Sequence, residues 1–211
     1  MQLKIEGLAS DRRNIIVNAA LKEFASKGYD EASTNIIAKE AGISKSLLFH
    51  YVNSKKDFFL FLYDYCVETM DREYLELMNF NEKDIFERLR QSYLLQIELV
   101  QKHPWIFDFN KITVPAKSEE INKELKKRIE NKQSLCFESM FEIKDTSKFK
   151  ADLNLDQCKQ LIFWMNIGFS NELLDHIRKT DISAIDYDEI VAKLDHFFAE
   201  LRKLFYKETF S

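Results

Sequence analysis

Residues 37 to 51 read IAKEAGISKSLLFHY, and this stretch decides the fold of the first part of the chain. Ile37 and Ala41 are spaced as on one face of a helix, and Gly42 readily adopts the left-handed conformation that ends one. Ser44 is a favourable N-cap for a second helix that begins one residue later. The pattern predicts two short helices joined by a tight turn.

A longer amphipathic helix is predicted before this motif. Ser10 or Asp11 begins it and Gly28 ends it. Its apolar stripe consists of Ile15, Ile16, Ala19, Ala20 and Phe24. The three short helices would share a small core and leave the polar side of the third helix exposed. Because the second helix of such a pair enters the major groove in known helix-turn-helix proteins, DNA binding is the leading hypothesis.

The order and spacing of these residues resemble the tetracycline-repressor (TetR) family of helix-turn-helix regulators over roughly residues 12 to 62. The matching elements are Ala20-Leu21, Phe24, Gly28-Tyr29, Ser33-Thr34, Ile37-Ala38, Ala41-Gly42-Ile43-Ser44, Leu48-Phe49, Tyr51 and Lys55. The resemblance implies an all-α homodimer with a DNA-binding domain over 1–54 and a helical effector-binding and dimerisation domain over 55–211. It also implies a transcriptional regulator, more commonly a repressor, that a small-molecule effector releases from operator DNA.

The resemblance also assigns residues to DNA contacts. Ser33 or Thr34 and Lys55 would bind phosphates, while Lys45 and Leu47 would face the major groove. The full predicted set is Ser33, Thr34, Ser44, Lys45, Ser46, Leu47, Phe49, His50, Tyr51 and Lys55. Two positions depart from the family pattern. Phe49 lacks the tyrosine hydroxyl that usually reaches a phosphate, and Ser46 stands where glycine is common, so operator preference is expected to differ.

Composition agrees with a helical, two-domain protein. The 211 residues include only four Gly and two Pro, which are too few to form the many tight turns of a multistranded sheet. The net charge is −4, but residues 1 to 60 contain nine Lys or Arg against seven Asp or Glu, and the remainder contains 22 against 28. The first part is therefore weakly basic, as suits a protein that approaches phosphates.

Neither a cofactor nor a metal site is predicted. The three cysteines and four histidines are widely separated and form no metal-binding spacing. The first residues lack the apolar core of a secretory signal, and the apolar run at 58 to 63 is too short to span a bilayer. A cytoplasmic protein without a membrane partner is expected.

Ser54, Asn81, Asn154 and Asp186 are predicted N-caps, because each is followed three residues later by Asp, Glu or Gln. Further helices are predicted near 55–78, 82–102, 118–141, 155–179 and 187–207, with a short one after Pro104. Aromatic residues on the middle helices would line an effector pocket, and Glu98 or Glu138 would meet a cationic ligand. The predicted effector residues are Phe86, Tyr93, Glu98, Trp105, Phe109, Phe137 and Phe141. A wide apolar stripe on the last two helices predicts a four-helix dimer interface. Its residues are Leu161, Trp164, Gly168, Ile190, Leu194, Phe197 and Leu201.

Two alternatives stay open at this stage. A DNA-binding regulator or architectural protein would need no small-molecule effector if a protein partner controlled it. An all-helical enzyme is disfavoured, because the sequence has no Gly-rich phosphate loop, no H-E-x-x-H pair and no G-x-S-x-G elbow. A separate alternative concerns the dimer: if the protein is a monomer, the apolar stripe on the last two helices would be part of its core.

Overall fold

The computed structural model describes residues 3–110, 117–130, 139–180 and 184–208, and within them it contains nine α-helices and no strand. The helices are α1 (Ser10–Glu31), α2 (Thr34–Glu40), α3 (Lys45–Val52), α4 (Lys55–Met70), α5 (Ile85–Lys102), α6 (Ile106–Asn110), α7 (Glu119–Glu130), α8 (Leu155–Lys179) and α9 (Tyr187–Phe205). The predicted all-α fold is confirmed. Among the helices of the described ranges, none is both long and apolar enough to cross a membrane.

Local capping explains where most helices begin. The side chains of Ser44, Ser54, Asn154 and Asp186 each accept a hydrogen bond from the backbone N–H three residues later, at 3.0 to 3.2 Å. These four predicted caps are confirmed. At α5 the cap is Asp84 rather than Asn81, because the Asp84 carboxylate accepts the N–H groups of the first turn.

Two predicted helix ends need comment. Gly28, the predicted end of α1, has non-helical φ of +70° and ψ of 177° and interrupts the helix there, but a further helical stretch continues to Glu31. Helix α4 ends at Met70, and a single π-helical turn, Asp71–Leu75, follows it. Helix α7 is described as far as Glu130, and residues 131 to 138, including Cys136 and the predicted effector residues Phe137 and Glu138, lie outside the described residues, so the predicted end near 141 stays a prediction.

The chain divides into two compact units. Unit one contains the described residues of Met1–Arg72 and Leu99–Gln133, and unit two contains those of Glu73–Glu98 and Ser134–Ser211. Packing therefore groups α4, α6 and α7 with the first three helices. The predicted boundary between residues 54 and 55 separates the chain by function, into a DNA-binding part and an effector-binding part, rather than by packing. It stays a prediction.

An aromatic cluster forms the core of unit one. Phe24 of α1 is fully buried, and its ring centroid lies 5.1 Å from that of Phe59 and 6.4 Å from that of Phe58, both on α4. Phe109 of α6 closes the cluster at 5.4 Å from Phe59. Burying several such rings supplies much of the apolar area that stabilises a domain. Helix α4 is thereby fixed against α1.

A second core holds unit two together. The ring centroid of Phe86 lies 6.2 Å from that of Phe198 and 5.0 Å from that of Tyr206, and Phe86 and Phe198 are fully buried. The fully buried Arg88 donates to the backbone carbonyls of Met140 at 3.1 Å, Glu82 and Glu142. Its guanidinium thus donates hydrogen bonds to backbone carbonyls of two separate segments, one at Glu82 and one at 140–142.

The same core contains part of the predicted dimer surface. Ile190, Leu194 and Leu201 of α9 are at most 3% exposed, and Phe197 is half-buried with its ring 4.2 Å from that of Phe169. The structure moves the first three residues from the predicted interface to the core of their own unit. A periodic apolar stripe shows that one face of a helix is covered, but not which chain covers it.

Replacing Phe198 by alanine should reduce the free energy of unfolding by about 3 to 5 kcal/mol, because a large cavity would remain between α5 and α9. Urea unfolding followed by circular dichroism would measure the change. Leu77→Ala is the matched control in the same unit, since Leu77 is 54% exposed and its truncation should have little effect. Equal losses in the two variants would contradict this core.

Candidate nucleic-acid interface

The turn between α2 and α3 is held by two backbone hydrogen bonds. The Gly42 N–H donates to the Lys39 carbonyl at 3.1 Å, and the Ile43 N–H donates to the Ala38 carbonyl at 2.9 Å. This pairing is a Schellman motif, and it requires the left-handed φ of +63° at Gly42. The turn redirects the chain so that Ser44 can cap α3 through the N–H of Leu47 at 3.2 Å.

Helix α3 has one buried and one exposed side. Leu48 and Val52 are fully buried in unit one. Lys45, Ser46 and His50 are exposed, as predicted. The remaining predicted contact residues of this helix, Leu47, Phe49 and Tyr51, are half-buried. The outer side therefore offers an ammonium group, hydroxyls and an imidazole, which are groups that bond to base edges and phosphates.

Contacts within α3 orient several of these side chains. The Lys45 ammonium lies 5.9 Å from the centroid of the Phe49 ring, at cation–π distance. The Ser44 and Ser46 hydroxyl oxygens are 3.0 Å apart, and either one can donate. The His50 and Tyr51 rings are 5.8 Å apart in an edge arrangement. Phe49 thus supports Lys45 although it has no hydroxyl of its own.

Lys55 is anchored at the start of α4. Its Nζ donates to the backbone carbonyl of Asp30 at 3.0 Å and lies 5.1 Å from the centroid of the Tyr29 ring. The kink at Gly28 brings Tyr29 and Asp30 to this position. Burial and the Asp30 carboxylate raise the pKa of Tyr29, so its phenol stays neutral beside the ammonium. An ammonium has three donors, and two of them remain for a phosphate.

Ser33 and Thr34 lie at the start of α2 and are half-buried. Ser33 occupies the N-cap position, but its side chain makes no capping hydrogen bond. Instead, its backbone N–H donates to the buried Glu23 carboxylate at 2.8 Å. The Ser33 hydroxyl is therefore not used to cap its own helix.

A cavity of about 700 Å³ lies along α4 within unit one. Helix α4 and the turn after it supply most of its lining: Asp57, Leu60, Phe61, Asp64, Tyr65, Glu68, Thr69 and Arg72. Leu3, Glu6, Arg13 and Arg128 complete the walls. The Arg128 guanidinium pairs with both carboxylate oxygens of Asp64, at 2.9 and 3.1 Å. The Arg13 Nε is buried and has no hydrogen-bond partner.

The predicted effector residues do not line this cavity. Phe86, Tyr93, Glu98 and Phe141 belong to unit two, whereas Trp105 and Phe109 belong to unit one. Phe86, Tyr93 and Phe109 are core residues, and the Tyr93 hydroxyl donates to the Asn166 carbonyl at 2.9 Å. Burial raises the pKa of Tyr93. Glu98 is exposed, Trp105 and Phe141 are half-buried, and Phe137 lies outside the described residues.

The sequence pattern missed the charged lining of this cavity. Arg13, Asp64 and Arg128 meet there from helices far apart in the chain, so no local spacing marks them. In the described part of the chain, no three His, Cys, Asp or Glu residues are grouped to hold a metal ion. Cys66 and Cys158 are buried free thiols, and burial raises the pKa of the Cys66 thiol to about 12.

Part of the other predicted surface is exposed on α8. Leu161, Trp164 and Ile167 are 42%, 56% and 45% exposed and recur at a spacing of three residues. A side-chain carbon at Gly168 would meet no atom within 4 Å, so another helix can approach closely there. Large apolar side chains exposed together on one helix face are typical of an interaction surface.

Comparison with known proteins gives three kinds of likeness. Residues 16–61 match the family model of bacterial regulatory proteins, tetR family. An HTH-type transcriptional regulator of Bacillus subtilis (strain 168), YuxN, is 30% identical over 93 residues, which are 44% of this chain and 30% of that protein. The match thus spans less than a third of the curated relative.

Two solved structures share the fold over nearly the whole chain. The ketosteroid transcriptional regulator KstR2 of Mycobacterium tuberculosis has a TM-score of 0.58 at 16% identity, covering 96% of this chain and 98% of its own. A TetR family transcriptional regulator from Chloroflexus aurantiacus J-10-FL has a TM-score of 0.55 at 18% identity, covering 97% of both chains. Residues 16–61, which run from α1 into α4, thus match the DNA-binding region of the TetR family of helix-turn-helix regulators, in a chain whose fold these two solved structures share.

Proposed function

We propose that this TetR-family regulator is a homodimeric repressor that binds operator DNA through α3 and leaves it when a small polar effector enters the cavity along α4. The observation that carries the DNA-binding part is the exposed side of α3. Lys45, Ser46 and His50 project from a helix whose opposite side is locked into the core by Leu48 and Val52. A rigid helix with polar groups outward suits major-groove recognition.

The predicted DNA contacts divide into two roles. Lys45, Ser46, Leu47 and His50 would meet base edges, because they lie on the accessible side of α3. Ser33, Thr34, Ser44 and Lys55 would bind phosphates on either side of the groove. Phe49 and Tyr51 would hold the neighbouring Lys45 and His50 side chains in position. Lys45 is well suited to donate to guanine O6 and N7, since its side chain rests against the Phe49 ring.

Lys45→Ala should weaken binding to the selected operator by about 1 to 3 kcal/mol and reduce discrimination against a scrambled duplex. Lys55→Ala should weaken binding to both duplexes and make the dependence of log affinity on log salt shallower by about 0.9 per chain. Fluorescence anisotropy with the chain's own upstream DNA, at several salt concentrations, would measure both effects.

Lys159→Ala is the charge-matched control, since Lys159 is exposed on α8. Because Lys55 also holds the Asp30 carbonyl, the melting temperature of Lys55→Ala is measured first and binding is compared well below it. Equal losses on both duplexes for Lys45→Ala and Lys55→Ala would contradict the division of roles. Binding of the wild-type protein to no upstream fragment would contradict the proposed function.

The exposed face of α8 is the surface that we propose for dimerisation. Trp164 is its largest member, and tryptophan anchors dominate many interfaces. Gly168 would allow the two copies of α8 to approach closely. Of the residues predicted for the interface, Leu161, Trp164 and Gly168 retain this role, and α9 contributes the exposed Leu204.

Trp164→Glu should raise the dimer dissociation constant at least about 30-fold, because a hot-spot ring is lost and a charge is left in an apolar contact. Light scattering and sedimentation at micromolar concentration would measure the mass. Leu77→Glu introduces the same charge at an exposed leucine of unit two and should leave the dimer intact. A monomeric wild-type protein would refute the proposed dimer.

The lining of the cavity determines which effector would fit. Three arginines and four carboxylates face it, together with the rings of Phe61 and Tyr65. A wholly apolar ligand would desolvate these charges without replacing their hydrogen bonds, which is costly. An effector with a carboxylate or phosphate for Arg13 and an apolar part for the two rings would satisfy the lining.

The position of the cavity suggests how an effector would act. The Tyr65 hydroxyl lies 3.1 Å from His103 Nε2, and His103 Nδ1 lies 2.9 Å from Asn18 Oδ1 on α1. Asn18 in turn donates to the Lys102 carbonyl at 2.8 Å. These polar contacts tie α4 to α1 beside the cavity. A ligand that moves Tyr65 would disturb this tie and shift the start of α4, which follows α3 directly.

A thermal-shift screen of organic acids and phosphates would test the effector. A true effector should raise the melting temperature of the wild-type protein by several degrees and lower its affinity for the operator. The shift should disappear in Arg13→Met and persist in Glu98→Gln, a change at a residue outside the cavity lining. A ligand whose effect survives Arg13→Met would act elsewhere.

A further inference from the structure

A short 3₁₀ turn, Lys4–Gly7, lies against α3, the proposed recognition helix. It is anchored by Ile5, which is fully buried, and by Leu3, which is 8% exposed. The Glu6 carboxylate accepts the Leu3 N–H at 3.0 Å and so closes the turn on itself. The turn is therefore a fixed part of the surface around α3.

This anchoring brings Lys4 next to His50. The Lys4 Nζ lies 3.5 Å from His50 Nε2, at the outer limit of a hydrogen bond. An ammonium group only donates, so the acceptor in this contact is the imidazole Nε2. Lys4 is exposed, and no carboxylate pairs with it among the residues that the structure describes. By contrast, Lys22 of α1 is paired with Glu40 at 3.1 Å.

The dimensions of DNA limit what Lys4 can contact. The major groove is about 12 Å wide, and an α-helix with its side chains has a diameter of about 10 to 12 Å. If α3 occupies the groove, a cation on the element beside it has no room at the base edges. It meets the wall of the groove instead, where the phosphates lie.

We propose that Lys4 is a DNA-backbone contact and that the turn Lys4–Gly7 is part of the operator-binding surface. The proposal rests on the proposed function, because it requires α3 to lie in the major groove. Lys4 would bind a phosphate beside the base read by His50. It would fix the register of α3 without distinguishing one base from another.

The test compares Lys4→Ala, Lys4→Glu and Lys4→Arg with wild type by fluorescence anisotropy on matched and scrambled duplexes. At about 0.1 M salt, Lys4→Ala should bind both duplexes three to ten times more weakly, and its salt dependence should be shallower by about 0.9 per chain. Lys4→Glu should lose more, and Lys4→Arg should stay within about twofold of wild type, since it keeps the charge.

Lys159→Ala controls for the loss of one positive charge elsewhere, and equal melting temperatures exclude misfolding. A wild-type salt slope in Lys4→Ala would overturn the proposal, and so would a loss confined to the matched duplex, which would indicate base reading. These outcomes are distinct from failure of the proposed function. In that case wild type would bind none of its upstream fragments, and Lys45→Ala would have no effect.

Discussion

The left-handed turn at Gly42 determines how the first three helices are arranged. Two hydrogen bonds, from the N–H groups of Gly42 and Ile43, end α2 and set the direction in which α3 leaves. An L-residue with a side chain would be strained in this conformation by about 1 to 2 kcal/mol. Ser44 then caps α3 within one residue of the turn. The direction of α3 relative to α2 is thus set by local backbone geometry.

Helix α4 is the element on which the rest of unit one converges. Its buried rings pack on Phe24, its first residue holds the Asp30 carbonyl, and its outer face lines the cavity. It follows α3 after a short turn, so α4 connects the lining of the cavity directly to α3. The polar contacts from Tyr65 through His103 to Asn18 give the opposite end of α4 a second attachment to α1. An element held at both ends suits a two-state response to a ligand.

Features that depend on neighbouring residues were predictable from the sequence. The caps at Ser44 and Ser54 and the Gly42 turn involve partners at most five residues away. The exposed side of α3 also follows from its periodicity. In contrast, Lys4 meets His50 across 46 residues, and Arg128 meets Asp64 across 64. Such contacts depend on how helices pack, and no spacing within the sequence encodes them.

The same distinction explains why several residues of the predicted effector and dimer sets lie in a core. Phe86 and Tyr93 are aromatic residues on an amphipathic helix, and a core and a pocket both require that pattern. Ile190 and Leu194 form a regular stripe, but α5 and α8 of the same unit cover much of the α9 face to which they belong.

The cavity has a charged lining, although neighbours of the same fold include a regulator named for ketosteroids. A shared helical scaffold therefore leaves ligand chemistry open, because a few side chains along α4 determine the polarity of the cavity. Arg13 is the clearest of these, since it lines the cavity and its buried Nε has no hydrogen-bond partner.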